Sequence, residues 1–246
     1  MKVSIMQPNI FMWGGLLKSL IESDLHVIRD DVKSTKNARY NRNLIAGNGE
    51  IVWYTIPFVG FKDKKLINQQ NLNTSKKTVR KLKQTFSSRY SEFKYYENAL
   101  KLINTSLDFD EDETPLCDVY VKFLAGLRSL GYPICKFIFA SSLNINENLD
   151  PKLFGLRMVN EILKVTEADT YLASENTVNY ANPNEYVTKK VMIQKYQDTF
   201  YKSYDQKTDW KRNQNLSCLD MISFLSLDDS LDHLDCSNKW DTYHPR

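Results

Sequence analysis

A chain of 246 residues, 42% of them apolar, can bury a substantial core. Its 33 basic residues are nearly matched by 30 acidic ones, and a formal charge of +3 is too small to mark a nucleic-acid binder. Cys117, Cys135, Cys218 and Cys236 are scattered, with no C-x-x-C pair and none of the density of a small secreted scaffold, which argues against zinc and a disulfide framework and for a reducing, cytoplasmic setting.

The opening MKVSIMQPN holds too short an apolar run for a secretion signal, and no window approaches the roughly 18 apolar residues of a membrane span, so no membrane insertion is expected. Val3 to Met6 reads as a short buried strand ended by Pro8. Leu16, Leu17, Leu20 and Ile21 then recur at helical spacing until Ser23-Asp24, and Leu25 to Ile28 forms a second strand. This alternation predicts a parallel α/β sheet. A polar stretch intervenes before the next strand, IVWYTIPF, at Ile51 to Phe58. From Thr74 an amphipathic helix carries Val79, Leu82, Phe86 and Tyr90 on one side and Lys76, Lys77, Arg80, Lys81 and Lys83 largely elsewhere. Further helices are predicted at about Glu92 to Ile103 and at Leu116 to Leu130. GYPICKFIFASS supplies a core strand, Asp150-Pro151 starts a helix, ADTYLASEN and KKVMIQKYQ are strands, and a helix from about Ser217 to Leu227 has Asn215 or Ser217 as its cap. From Asp228 the periodicity fades, which predicts a loosely attached tail.

Gln7-Pro8 and Gly14-Gly15 lie between the first strand and the first helix. Ligands bind at the carboxyl ends of strands in open α/β sheets, and the unpaired N–H groups of a helix N-terminus suit phosphate or carboxylate. Asp30-Asp31 follow the second strand at the equivalent edge, where a carboxylate can take a proton from an ammonium group, act as a general base or hold a cation; a helix-capping turn is the plainer alternative. Lys36, Arg39 and Arg42 with the amides of Asn37, Asn41 and Asn43 follow closely, and arginine's planar fork suits bidentate capture of phosphate or carboxylate. Together these groups fit a ligand bearing charges of both signs. Ser141-Ser142 and Ser174 end later strands and can line the same crevice, without the G-x-S-x-G elbow of a serine hydrolase. His26, His233 and His244 have no metal-ligand spacing, so no metal site is expected. The basic helix lacks exposed aromatics of its own for base stacking and reads as a solvated face.

Several short motifs in order resemble the WbqC-like family encoded in bacterial surface-polysaccharide clusters: IMQP at Ile5 to Pro8 with Gly15 beyond, SDLHVIRDDV, NRN at Asn41 to Asn43 followed by WYTIPF, FASSL, the helix carrying Arg157, ADTYLAS with Tyr180 beyond, and NLSCLD at Asn215 to Asp220. The resemblance covers about residues 1 to 225. The chain departs from the family's pattern at Asn9, Met12 and Leu16, and in having Arg39 at a usual tryptophan position, which leaves a changed ligand preference or lost activity open. The resemblance implies a role in lipopolysaccharide O-antigen or related glycoconjugate synthesis, with modification of amino sugars. The start of the chain is also similar to the nucleotidyltransferase-type α/β fold, but no histidine pair lies between Pro8 and Gly15, which argues against adenylyl or cytidylyl transfer.

The expectation is a single α/β domain over residues 1–225, with a mainly parallel, Rossmann-like, nucleotidyltransferase-like sheet, a helical insertion at about 74–130, and a loose tail at 226–246. The expected function is acyl or aminoacyl transfer to the amine of a nucleotide-linked amino sugar, with the nucleotide-linked sugar and an acyl donor as ligands. Asp30 or Asp31 would be the base. Gln7, Pro8, Gly14, Gly15, Lys36, Arg39, Asn41, Arg42, Asn43, Ser142 and Ser174 would bind substrate. The alternatives are nucleotidyl transfer and a non-catalytic binding or scaffold protein of a glycosyltransferase complex. No cofactor is legible.

Overall fold

Val3 and Ile5 are buried on one face of a strand and Ser4 on the other, as the central strand of a sheet covered on both sides requires. The structure, a computed structural model, is described over residues 1–47, 49–61, 65–143, 145, 155–179, 181–197 and 215–245. The strand is β1 (Lys2–Met6), and it pairs in parallel with β2 (Leu25–Ile28) on one side and with the strand Thr170–Ala173 on the other. Helix α1 (Gly14–Glu22) makes the β1–β2 crossover.

The polar stretch after β2 holds a strand of its own, which the sequence reading did not foresee. Arg42–Ile45 (β3) pairs antiparallel with Val52–Thr55 (β4) in a two-stranded ribbon outside the main sheet. The run expected as one strand breaks before Pro57. Phe58–Val59 (β5) joins Asn71–Asn73 (β6) and Glu113–Pro115 (β7) in a small antiparallel sheet. Proline's lack of an N–H accounts for the break.

Three helices lie within the stretch expected as a helical insertion. Helix α2 (Lys76–Tyr90) is capped by Ser75, whose hydroxyl accepts from the Thr78 N–H, and it buries Leu82, Phe86 and Tyr90. The Phe86 ring stacks on Tyr90 and Tyr96 at 4.5 and 5.9 Å. Helices α3 (Tyr96–Ser106) and α4 (Leu116–Ser129) complete the insertion, and α3 starts later than its apolar pattern predicts.

Strand β8 (Lys136–Phe139) follows, then α5 (Leu156–Val165), β9 (Thr170–Ala173) and β10 (Lys190–Tyr196). The expected Asp150-Pro151 helix start and Tyr180 lie outside the described residues. Helix α6 (Cys218–Phe224) is capped by Ser217, as predicted, and α7 (Leu227–Cys236) by Ser226.

The sheet is mixed and mostly parallel, with six strands in the order β11-β10-β9-β1-β2-β8, where β11 (Asn238–Tyr243) is its antiparallel edge. Strand β8, expected in the core, is the opposite edge and only half-buried. One face packs Val3, Ile5 and Val27 against Val159, Ile162 and Leu163 of α5. The other carries Ile28 into a larger core with Leu16, Leu17 and Leu20 of α1 and the insertion helices.

The tail corrects the prediction of loose attachment. Strand β11 pairs with β10 from Tyr196↔Asn238 to Val191↔Tyr243. Leu234 of α7 is buried, and Asp235 pairs with Lys18 of α1. Its alternation was missed because an edge strand with few apolar residues, NKWDTY, reads as coil.

Candidate functional site

Strand order reverses beside β1. The chain moves from β1 to β2 and on to β8 on one side, then crosses to β9 and β10 on the other. Connections leaving β1 and β9 therefore diverge, and a crevice opens at the carboxyl ends of the strands. Its volume is about 490 Å³. Strand β1 delivers Gln7 and Pro8 to it with Asn9 just beyond, β2 delivers Arg29, and the segment after β9 delivers Ser174 and Asn176. Arg39, Tyr40, Trp13 and Leu16 line it as well.

The loop that carries Gln7 and Asn9 is held by backbone bonds from several elements. The Ile10 N–H donates to the Tyr40 carbonyl at 3.0 Å and the Cys218 N–H to the Met12 carbonyl at 2.6 Å. The Asn43 amide donates to the Phe11 carbonyl at 2.8 Å. Phe11 has a φ of 57°, uncommon for a residue with a side chain, and its ring is buried between Tyr54 and Phe123 at 5.1 and 5.8 Å. Asn41 likewise serves the scaffold, donating to the Ile56 carbonyl at 2.6 Å. These two predicted ligand-binding amides shape the loop and do not line the crevice.

Arg29 is the cation at the centre. It is 7% exposed, and its Nε donates to Asp31 Oδ1 at 2.7 Å. That bond fixes the guanidinium plane, and among the described residues Nη1 and Nη2 have no protein partner. Arg39 Nη1 donates to Asn43 Oδ1 at 3.1 Å and to the Asn215 carbonyl at 3.0 Å. Burial, and then the neighbouring Arg42, lower the Arg39 pKa. No carboxylate lines the crevice among the described residues. Asn9 Oδ1 is buried there with no hydrogen-bond partner among the described residues.

Of the residues singled out in the sequence, Gln7, Pro8, Arg39 and Ser174 line the crevice. Asp30 sits just behind it, 3% exposed, accepting from the Ser141 N–H at 3.0 Å, the Ser141 hydroxyl at 2.6 Å and the Asn68 amide at 3.2 Å. Asp31 is partly exposed and holds Arg29. Gly14 and Gly15 are not among the residues that line the crevice: a Cβ on Gly14 would overlap the Tyr196 hydroxyl, and one on Gly15 would overlap the ring of Trp13, which does line it. Lys36 is exposed, and the Ser142 hydroxyl donates to the Phe139 carbonyl at 2.7 Å. Arg42 stacks on Trp53 with its guanidinium carbon 4.2 Å from the ring centroid, and donates to the Asn37 carbonyl at 2.6 Å.

Sequence reasoning missed Arg29, Asn9, Trp13 and Asn176 as lining groups. Arg29 had a legible signal, because it is the first residue after β2, at the strand end where the fold binds ligands. Among the described residues no cluster of three His, Cys, Asp or Glu side chains suits a metal ion, and no helix is long and apolar enough to cross a membrane. Chemically, the crevice offers a fixed guanidinium edge for an anion and amide and hydroxyl groups for a polyhydroxylated ligand.

The chain matches the WbqC-like protein family over residues 7–231, nearly its whole length, and belongs to that family. The matched span contains the lining groups from Gln7 to Asn176 and ends within α7. No match was found among curated proteins or among solved structures.

Proposed function

We propose that this WbqC-like chain is an enzyme of bacterial surface-polysaccharide or glycoconjugate synthesis that transfers an acyl or aminoacyl group to the amine of a nucleotide-linked amino sugar. The observation that carries the reading is Arg29, clamped by Asp31 with its Nη edge unengaged among the described residues, in a crevice that also presents Gln7, Asn9, Ser174 and Asn176. The guanidinium suits a phosphate or carboxylate, and the amides and hydroxyl suit a sugar. The switch in strand order beside β1 supports the Rossmann-like, nucleotidyltransferase-type architecture expected from the start of the chain.

In the transfer, the neutral amine nitrogen attacks the acyl carbon of an activated donor. The new C–N bond forms, the bond to the leaving group breaks with its electron pair, and the amine gives up one proton. Asp31 is the better of the two aspartates to take that proton. Its second oxygen has no hydrogen bond among the described residues, whereas both oxygens of Asp30 are engaged. Arg29 would stabilise negative charge on the leaving group.

One observation favours a second reading. No titratable acid or base lines the crevice itself apart from arginine and tyrosine among the described residues, which fits a non-catalytic binding protein. Incubating the protein with nucleotide-linked amino sugars and a panel of acyl-CoA and acyl-phosphate donors separates the two, with mass spectrometry of the sugar as readout. A mass gain of one acyl group per sugar supports transfer. Stabilisation by the nucleotide sugar with no product from any donor favours the binding protein.

A further inference from the structure

The lysines of α2 have no aromatic companion along their own helix, but the fold brings one from β4. Trp53 is 46% exposed. The ribbon register pairs Arg42 with Thr55 and Leu44 with Trp53, so these four side chains share the outer face, while Tyr54 and Ile45 are buried beneath. Arg42 and Arg39 both approach the Trp53 ring, at 4.2 and 5.6 Å from its centroid.

Helix α2 packs against the Tyr54 face of the ribbon, and between β4 and α2 runs a groove of about 480 Å³, lined by Trp53, Tyr54 and Thr55 from the ribbon and by Asn73, Lys77, Thr78 and Lys81 from the other side. No acidic residue lines it, and Lys77, Lys81 and Arg42 form no ion pair among the described residues. Helix α2 contains no acidic residue at all. Lys77 and Lys81 stand one helical turn apart, where like charges destabilise a helix. The groove thus concentrates uncompensated positive charge around an exposed indole, in a volume within the range of small-ligand sites.

We propose that this groove binds a nucleoside diphosphate group, its base against the part of the Trp53 indole that Arg42 leaves open and its phosphates on Lys77 and Lys81. Arg39 joins the two cavities, since it lines the crevice and also reaches Trp53. A nucleotide-linked sugar with its sugar in the crevice would pass Arg39 and leave its nucleotide in the groove. The assignment rests on the nucleotide-linked ligand proposed above and adds where the nucleotide sits.

The test is binding without turnover: calorimetric titration with uridine diphosphate, inorganic pyrophosphate, uridine, and vesicles of anionic phospholipid. Uridine diphosphate should bind more tightly than pyrophosphate or uridine, and Trp53→Ala should weaken it about 5- to 100-fold. Lys77→Ala with Lys81→Ala should weaken it about tenfold or more, and added salt should weaken binding to the unaltered protein. Both lysines and Trp53 are exposed, so these variants should fold. Pyrophosphate binding as tightly as uridine diphosphate, with no effect of Trp53→Ala, overturns the stacking and with it the proposal. Vesicle binding through the lysines without uridine diphosphate binding overturns it in favour of a membrane-facing helix. Loss of uridine diphosphate binding in Arg29→Ala but not in Trp53→Ala moves the nucleotide to the crevice, so this inference fails while the transferase reading stands.

Discussion

The Asp30 carboxylate receives both the backbone N–H and the hydroxyl of Ser141, at 3.0 and 2.6 Å, and so ties the end of β2 to the turn after β8. The Asn68 amide donates to the same oxygen as the hydroxyl, at 3.2 Å. An asparagine at this position must turn its own NH₂ toward at least one donor. Asp30→Asn should therefore cost about 1–3 kcal/mol in urea unfolding, the range for a buried polar group left unsatisfied. Ser141→Ala keeps the backbone bond and should cost less. Equal stability of Asp30→Asn and the unaltered protein would deny the clamp any energetic role.

Arg29 and Asp31 form the complementary pair, held at 2.7 Å at the crevice. Arg29→Ala should weaken binding of a phosphate- or carboxylate-bearing ligand by about 1–3 kcal/mol, the range for charge-assisted hydrogen bonds, as read by titration calorimetry. Asp31→Asn keeps an oxygen to accept from Arg29 Nε but cannot take a proton. Under the proposed chemistry it should hold its melting temperature and lose turnover by a factor of about 10²–10⁴ in steady-state kinetics. Unchanged turnover would remove Asp31 as the base.

Strand-end placement was legible because it follows from elements that announce themselves. The apolar runs at Val3 and Leu25 and the helix between them put Gln7 and Arg29 on one edge, and Ser141 joins them through β8. Side-chain direction was not legible. Asn41 and Asn43 look like ligand-binding groups in a polar string, but the start of β3 and the residue before it turn them inward to bond the backbone carbonyls of Phe11 and Ile56. Trp53 was read as part of an apolar strand; only its register opposite Leu44, on a ribbon outside the main sheet, exposes it. Tertiary pairing decides such cases, and a single sequence carries no signal for it.

Gly15 illustrates the same point with a measurable consequence. It does not itself line the crevice, yet an alanine there would overlap the Trp13 ring, which does line it and packs edge-on against Tyr196 at 5.3 Å. Gly15→Ala should cost about 1–3 kcal/mol by overpacking. It should also shift the Trp13 fluorescence and lower ligand affinity at the crevice. Normal stability with lost affinity would mean instead that the glycine's own backbone contacts ligand.

His26 gives a prediction about pH that is independent of ligand. It is fully buried in β2 with Nδ1 2.9 Å from the Ser4 hydroxyl, and desolvation holds its pKa down to about 3, against an ordinary value of 6.5. The imidazole is therefore neutral in the folded protein through most of the acid range, while the unfolded chain takes up a proton as pH falls below about 6.5. Between those two values the unfolded state binds more protons, so this residue makes stability fall as pH falls across that window, with a slope of at most about 1.4 kcal/mol per pH unit. Above the window its contribution is constant. Urea unfolding at pH 7.5, 6.5, 5.5 and 5.0, chosen so that most carboxylates stay ionised, should give a steeper loss for the unaltered protein than for His26→Asn, whose amide does not titrate. Parallel curves would mean that His26 gains its proton in the folded state as readily as in the unfolded one, and that its burial in the sheet carries no proton linkage.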